Sequence, residues 1–149
     1  MSDEAEKKRT PTPGCTCFRL RKASRAVSQI YDHFLEPHGL TITQYGLLAQ
    51  LVQHDGISIG ALAEKLIMDP TTLTRNLRPL ERDGLVLFAS DPEDRRTRRL
   101  QLTEKGRATH KTARPAWIEA ELHIDEMLGE TEAPALNAAL DHLLKRLST

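Results

Sequence analysis

The sequence predicts a mainly α-helical fold with one small β-hairpin. Three observations carry that prediction. Apolar residues recur at helical spacing along most of the 149 residues. Good capping residues stand at the heads of several of these stripes. Two short apolar runs, LVLFAS and LQLT, flank an arginine-rich turn. The length is that of an ordinary single domain, and a 39% hydrophobic content is enough for a modest core. No apolar stretch approaches the roughly 20 residues needed to span a bilayer. The polar start MSDEAEKKRTPTPG reads as a flexible tail over residues 1–14 rather than a signal peptide, and the chain reads as cytoplasmic.

Taken in order, Leu20, Ala23, Val27, Ile30 and Phe34 form one helical stripe, ended by Pro37 and Gly39. Thr41 with Gln44 resembles a capping box opening a helix through Leu51. Ile57 is expected to begin a short strand, and Ser58 to cap a helix whose Leu62, Ala63 and Leu66 face inward. Asp69 can accept from the free N–H groups of the next helix, and Pro70 suits its first position, where a missing N–H costs nothing. In that helix Leu73, Leu77 and Leu80 face the core. Pro79 lies inside it, so a kink or a loosened last turn is expected. Gly84 stops the helix, Leu85 to Ser90 forms a strand, and Leu100 and Leu102 alternate with Gln101 and Thr103 in its partner. Thr103 then caps a long helix through Leu128, with a bend possible at Pro115, and Leu136, Leu140, Leu143 and Leu147 mark a last one.

The block from Asp69 to Gly106 points to chemistry. With the leucines turned inward, Thr71, Thr72, Thr74, Arg75 and Arg78 make a short, hydroxylated, cationic outer face. Such a face suits a major groove, where hydroxyls contact phosphate and arginine pairs with the O6 and N7 edge of guanine. The hairpin turn carries Asp94, Arg95, Arg96 and Arg98, and arginine is the residue that enters a narrow minor groove. Asp94 is placed to hold Arg95 or Arg96 by ion pairing. A helix followed by a basic-tipped hairpin is the arrangement with which a winged helix-turn-helix grips duplex DNA.

The order of these elements, with the block D-P-E-D-R-R-T-R-R-L-Q-L-T-E-K-G, resembles the MarR family of bacterial transcription regulators. That family's wing pattern, Asp-x-x-Asp-x-Arg followed by Leu-x-Leu-Thr-x-x-Gly, is matched by Asp91, Asp94, Arg96, Leu100, Leu102, Thr103 and Gly106. The resemblance covers nearly the whole chain. It implies a single domain over residues 15–149, with a winged-helix DNA-binding core at about 41–106 and dimerisation helices at about 15–36 and 107–149. The first and last leucine stripes, which one small domain would struggle to bury, also argue for a homodimer. A two-fold dimer implies a pseudo-palindromic double-stranded operator.

Two inputs are compatible with that reading. Cys15 and Cys17 stand at the head of the first helix beside Arg19, Arg21 and Lys22, where the helix dipole and the cations favour thiolate. Cys17, Phe18 and Tyr31 are similar to the organic-hydroperoxide-sensing branch of the family, although the position four residues after the cysteine, a tyrosine in that branch, is Arg21 here. The other input, common in the family, is a small aromatic or phenolic effector, for which His33, Phe34, Tyr45 and Trp117 are the candidate lining residues.

The charge balance, 21 basic against 21 acidic residues, does not oppose phosphate binding, because acids crowd the C-terminal part while arginines concentrate in the helix and wing. No metal site, disulfide framework or cofactor motif is expected. The six histidines are scattered and no nucleophile elbow or phosphate-cradling loop is present, so no catalytic residues are assigned and the chain is not read as an enzyme. A winged helix that binds protein instead of DNA is the remaining alternative; loss of the basic tip would mark it, and the tip is retained.

Overall fold

The computed structural model describes residues 9–148, so most of the expected N-terminal tail lies outside the described residues. Helix α1 (Thr16–Leu35) is capped by Cys15, whose Sγ accepts from the Phe18 N–H at 3.4 Å. A 3₁₀ turn, Glu36–His38, follows and closes at Gly39 with φ 69°. Helix α2 (Ile42–Gln53) opens with the expected capping box between Thr41 and Gln44. Asp32 of α1 accepts the Ile42 N–H at 2.7 Å, fixing the entry angle of α2 against α1.

Helices α3 (Ile59–Leu66) and α4 (Pro70–Arg82) are capped by Ser58 and Asp69, as their sequences require. Proline interrupts neither α4 nor the long helix that follows the hairpin. Pro79 has no N–H to give the carbonyl four residues earlier, yet the last turn of α4 is closed rather than loosened, by the Asp83 N–H on the Pro79 carbonyl at 3.0 Å. Strands β1 (Val86–Ser90) and β2 (Arg98–Leu102) pair antiparallel, Val86 opposite Leu102 and Ser90 opposite Arg98. Helices α5 (Glu104–Leu128) and α6 (Glu132–Leu147) complete the chain.

The core lies where α2, α3, α4 and the hairpin meet. Leu48, Leu51, Leu62, Leu73, Leu77 and Leu100 are fully buried there. Each such leucine contributes about 2 kcal/mol of transfer free energy. Two expectations need correction. The strand expected at Ile57 is reduced to a single bridge between Ser58 and Arg99, because Ser58 leaves at once to cap α3. In α1 the buried positions are Tyr31 and Leu35 rather than Ile30 and Phe34, which are only half-buried. The inward face of α1 is therefore rotated by one residue from the predicted stripe. Its first twelve helical residues are exposed, as are Leu136, Leu143 and Leu147 of α6.

One junction ties the hairpin to everything else. The Thr103 hydroxyl lies 2.7 Å from the Gly84 carbonyl and 3.0 Å from that of Leu85, and it accepts the Gly106 N–H at 2.9 Å. The Thr103 N–H also donates to the Leu85 carbonyl, at 3.1 Å. Gly106 is buried against that carbonyl, and a Cβ there would fall inside its van der Waals envelope. From the other side, Asp55 accepts the Leu102 N–H at 2.9 Å.

Two stability predictions follow from backbone geometry. Gly106→Ala forces the start of α5 off the α4–β1 turn and is expected to cost about 3 kcal/mol in denaturant melts, as overpacking against fixed backbone does. Ile67, at the turn between α3 and α4, is an exposed β-branched residue at φ 54°, in the left-handed region. Ile67→Gly is expected to raise stability by about 1 kcal/mol, since relief of left-handed strain outweighs the added freedom of the unfolded chain.

Candidate nucleic-acid interface

Because Leu73, Leu77 and Leu80 are buried, the opposite face of α4 is outward by geometry. Thr71, Thr72, Arg75 and Arg78 are exposed on it and Thr74 is half-buried. The Thr72 N–H is taken by Asp69, which leaves the hydroxyls of the first turn for an outside partner. Among the described residues Arg75 has no side-chain partner. Arg78 differs: it pairs with Glu81 at 3.0 Å, and its guanidinium lies 4.6 Å from the centroid of the Phe88 ring on β1.

The hairpin sorts its arginines into two groups. Arg95 and Arg96 are exposed at the tip, with no side-chain partner among the described residues. Asp94 does not pair with either guanidinium, which corrects the expectation from sequence. Its carboxylate instead accepts the Arg96 N–H at 3.0 Å and the Thr97 hydroxyl at 2.9 Å, folding the turn. This local geometry occupies both oxygens with groups two and three residues away. Arg99, one residue into β2, is a brace: it donates to Asp91 at 2.8 Å and to the Gly56 carbonyl at 3.0 Å. The Glu93 amide and the Arg99 guanidinium hold the Asp91 carboxyl below the usual range. Arg98 leaves the tip too, with its guanidinium 6.0 Å from the Phe88 centroid. Phe88 thus joins α4 to the hairpin, a role its place in an ordinary apolar strand did not signal.

The proposed sensor residues are not assembled within one chain. Cys15 and Cys17 are exposed free thiols, the first acting as the α1 cap. Tyr31 lies fourteen residues beyond Cys17 on the same helix, about 21 Å along its axis at ~1.5 Å per residue. Its hydroxyl donates to Glu121 on α5 at 2.6 Å; burial and this bond push the phenol well above its ordinary pKa, so it remains a donor. The four candidate effector residues divide between two ring clusters. Tyr45 is buried and stacks with His110 at 4.9 Å and Trp117 at 5.8 Å between centroids. Phe34 meets His33 at 5.9 Å and His123 at 5.7 Å. Burial, aided by Arg114 and Arg107, pushes the His110 imidazole below its ordinary pKa. Sequence reading passed over His110 and His123, whose helical positions on α5 signal no pairing with α1 or α2. Leu20, Val27, Tyr31, Ile124, Leu128 and Leu140 line an open, largely apolar groove of about 420 Å³ between α1, α5 and α6.

Among the described residues no group of His, Cys, Asp and Glu is placed to hold a metal, and no helix is long and apolar enough to cross a membrane. The sequence model of the MarR family matches residues 40–97. The chain is 31% identical over 133 residues to the transcriptional activatory protein BadR of Rhodopseudomonas palustris, covering 87% of this chain and 75% of BadR. It superposes on the DNA complex of the M. tuberculosis transcriptional regulator MosR with TM-score 0.80 and 34% identity, covering 90% and 96% of the two chains. The transcriptional repressor CouR, bound to a 23-mer DNA duplex, gives TM-score 0.79 and 28% identity over 91% and 99%. The match spans 47–62% of the length of the first curated regulators found. With the winged helix-turn-helix built from residues that the family's wing pattern names, this chain belongs to the MarR family of transcription regulators.

Proposed function

We propose that the chain is a homodimeric, sequence-specific DNA-binding repressor, with residues 41–106 as its DNA-binding core and residues 15–36 and 107–149 as dimerisation helices. The observation that carries this reading is the set of exposed cations that have no side-chain partner among the described residues, Arg75 on the outer face of α4 and Arg95 with Arg96 at the hairpin tip, on two elements joined through Phe88. Thr71, Thr72, Thr74, Arg75 and Arg78 address the major groove, and Arg95 with Arg96 the minor groove. Arg98 stands at the start of β2, at the tip end of the strand pair beside Phe88, and Asp94 shapes the tip without contacting DNA through a paired arginine. That MosR and CouR, both similar to this chain, were solved with DNA bound supports the reading of a DNA-binding protein.

The dimer rests on the uncovered groove between α1, α5 and α6, together with the exposed leucines of α6. A second copy would remove this apolar surface from water. Light scattering on the chain is expected to give twice the 16.7 kDa chain mass. Leu136→Glu, on the groove wall, is expected to give monomers and to weaken operator binding at least tenfold, since each half-site would then bind alone.

Relief of repression is assigned to a small aromatic ligand near Tyr45 and Trp117, with His33 and Phe34 on the second ring cluster. A ligand there acts only if it binds the DNA-competent and incompetent arrangements differently. The exposure of both thiols favours a second input: a Cys17 thiolate attacks the terminal oxygen of an organic hydroperoxide, giving a sulfenic acid and releasing the alcohol.

The test is a titration of duplex DNA from the region beside the gene, at two salt concentrations, with reduced and with hydroperoxide-treated protein. Steeply salt-dependent specific binding is expected. Loss of binding after peroxide, cancelled by Cys17→Ser, would select the thiol; absence of specific binding in every state would leave a protein-binding winged helix. Arg75→Ala is expected to relax selectivity at one base position by about 1–3 kcal/mol if it pairs with guanine, while Arg96→Ala weakens every sequence of equal groove width alike.

A further inference from the structure

A helix in the major groove and a wing in the adjacent minor groove must straddle the single sugar-phosphate strand that separates those grooves. The joint between α4 and the hairpin faces that strand. Three side chains meet there: Arg78 from α4, Phe88 from β1 and Arg98 from β2, with guanidinium carbons 4.6 and 6.0 Å from the ring centroid. We propose that Phe88 is a positioning residue, a flat pedestal that holds Arg78 and Arg98 as a two-armed clamp for one backbone phosphate. The proposal rests on the DNA-binding reading; it moves Arg78 from the floor of the major groove to the phosphate at its edge, leaving base contact on α4 to Arg75, and gives a role to Phe88, which that reading leaves unused.

The chemistry favours such a clamp. A guanidinium stacked on an aromatic face is held through its π surface, and its N–H donors remain at the edge, free to bond phosphate oxygens. The ring is half-buried and packs against the core, so its orientation is fixed from below. Phe88 lies opposite Leu100, whose side chain is fully buried, and this anchors the strand that carries the ring. Two guanidiniums near one ring repel each other, and a phosphate at the joint would relieve that repulsion. Glu81 occupies one Arg78 nitrogen at 3.0 Å, and a phosphate must compete with this exposed carboxylate. The clamp therefore adds affinity on all sequences without reading bases.

The experiment compares the full chain with Phe88→Leu, Phe88→Tyr and Glu81→Gln on two probes, a duplex from the gene-adjacent region and a random-sequence 40-base-pair duplex, across a salt series. Phe88→Leu keeps an apolar filler and removes the flat face. It is expected to leave the thermal midpoint near that of the parent and to make log K against log salt shallower by about one unit, the loss of one phosphate contact at ~0.9 per phosphate. The loss is expected on both probes, with base preference unchanged. Phe88→Tyr restores the slope, and Glu81→Gln, which frees Arg78, tightens binding on both probes. An unchanged slope in Phe88→Leu, or a slope lost only together with thermal stability and not restored by tyrosine, overturns the clamp while leaving the DNA reading intact. Failure of the parent chain to bind either duplex overturns the DNA reading and the clamp with it.

Discussion

The hydroxyl of Thr103 holds together three pieces of chain that local sequence would not bring into contact. It closes on the carbonyls that end the α4–β1 turn and caps the first turn of α5. Gly106 follows because α5 must start so close to the Leu85 carbonyl that no side chain fits. The hairpin depends on this junction, since its two strands share only five residue pairs and two-stranded sheets are marginal alone in water. Asp55 adds a second anchor at Leu102, and the Arg99 brace a third at Gly56. The wing is thus a short ribbon fastened at its root to α4, α5 and the α2–α3 loop, with only its tip unbound.

That fastening divides the cations by task. Those within reach of a carboxylate or carbonyl in the frame, Arg99 above all, are consumed in building the shape. Those three and four positions earlier, at the tip, Arg96 and Arg95, keep their hydrogen-bonding capacity for a partner outside the chain. A net charge of zero conceals this division, because many of the carboxylates that balance the arginines lie along α5 and α6. An anion approaching the wing meets the local cations before it meets the average.

Much of the architecture was legible because it is written in short-range rules. Thr41, Ser58, Asp69 and Thr103 cap the helices they were expected to cap, each through a bond spanning three residues. The hairpin and its register follow from alternation about a polar turn. What was not legible depends on distances across the fold. The pairing of Arg99 with Gly56 spans 43 residues. The ring contact of Phe88 with Arg78 depends on the angle between helix and wing. Asp94 was assigned to the wrong partner because an adjacent backbone amide, invisible to charge counting, satisfies it first. The α1 stripe was displaced by one position because Leu20 and Val27 suggested a buried face where the single chain offers them only a groove wall.

Helix α5 deserves to be viewed as a mechanical part. It runs unbroken for 25 residues from Glu104 at the wing root to Leu128 at the groove, although Pro115 lies within it. At ~1.5 Å per residue it is a rod of about 37 Å. One end sits under the hairpin and the other under α1 and α6. A tilt of about ten degrees imposed at the groove end sweeps the wing end through about 6 Å, as a rod of that length requires. That displacement exceeds the spacing between neighbouring phosphates along the duplex axis, about 3.4 Å on each strand. Were its groove end displaced, α5 would act as a lever whose leverage is set by its length: a tilt small at one end is large enough to lose register at the other.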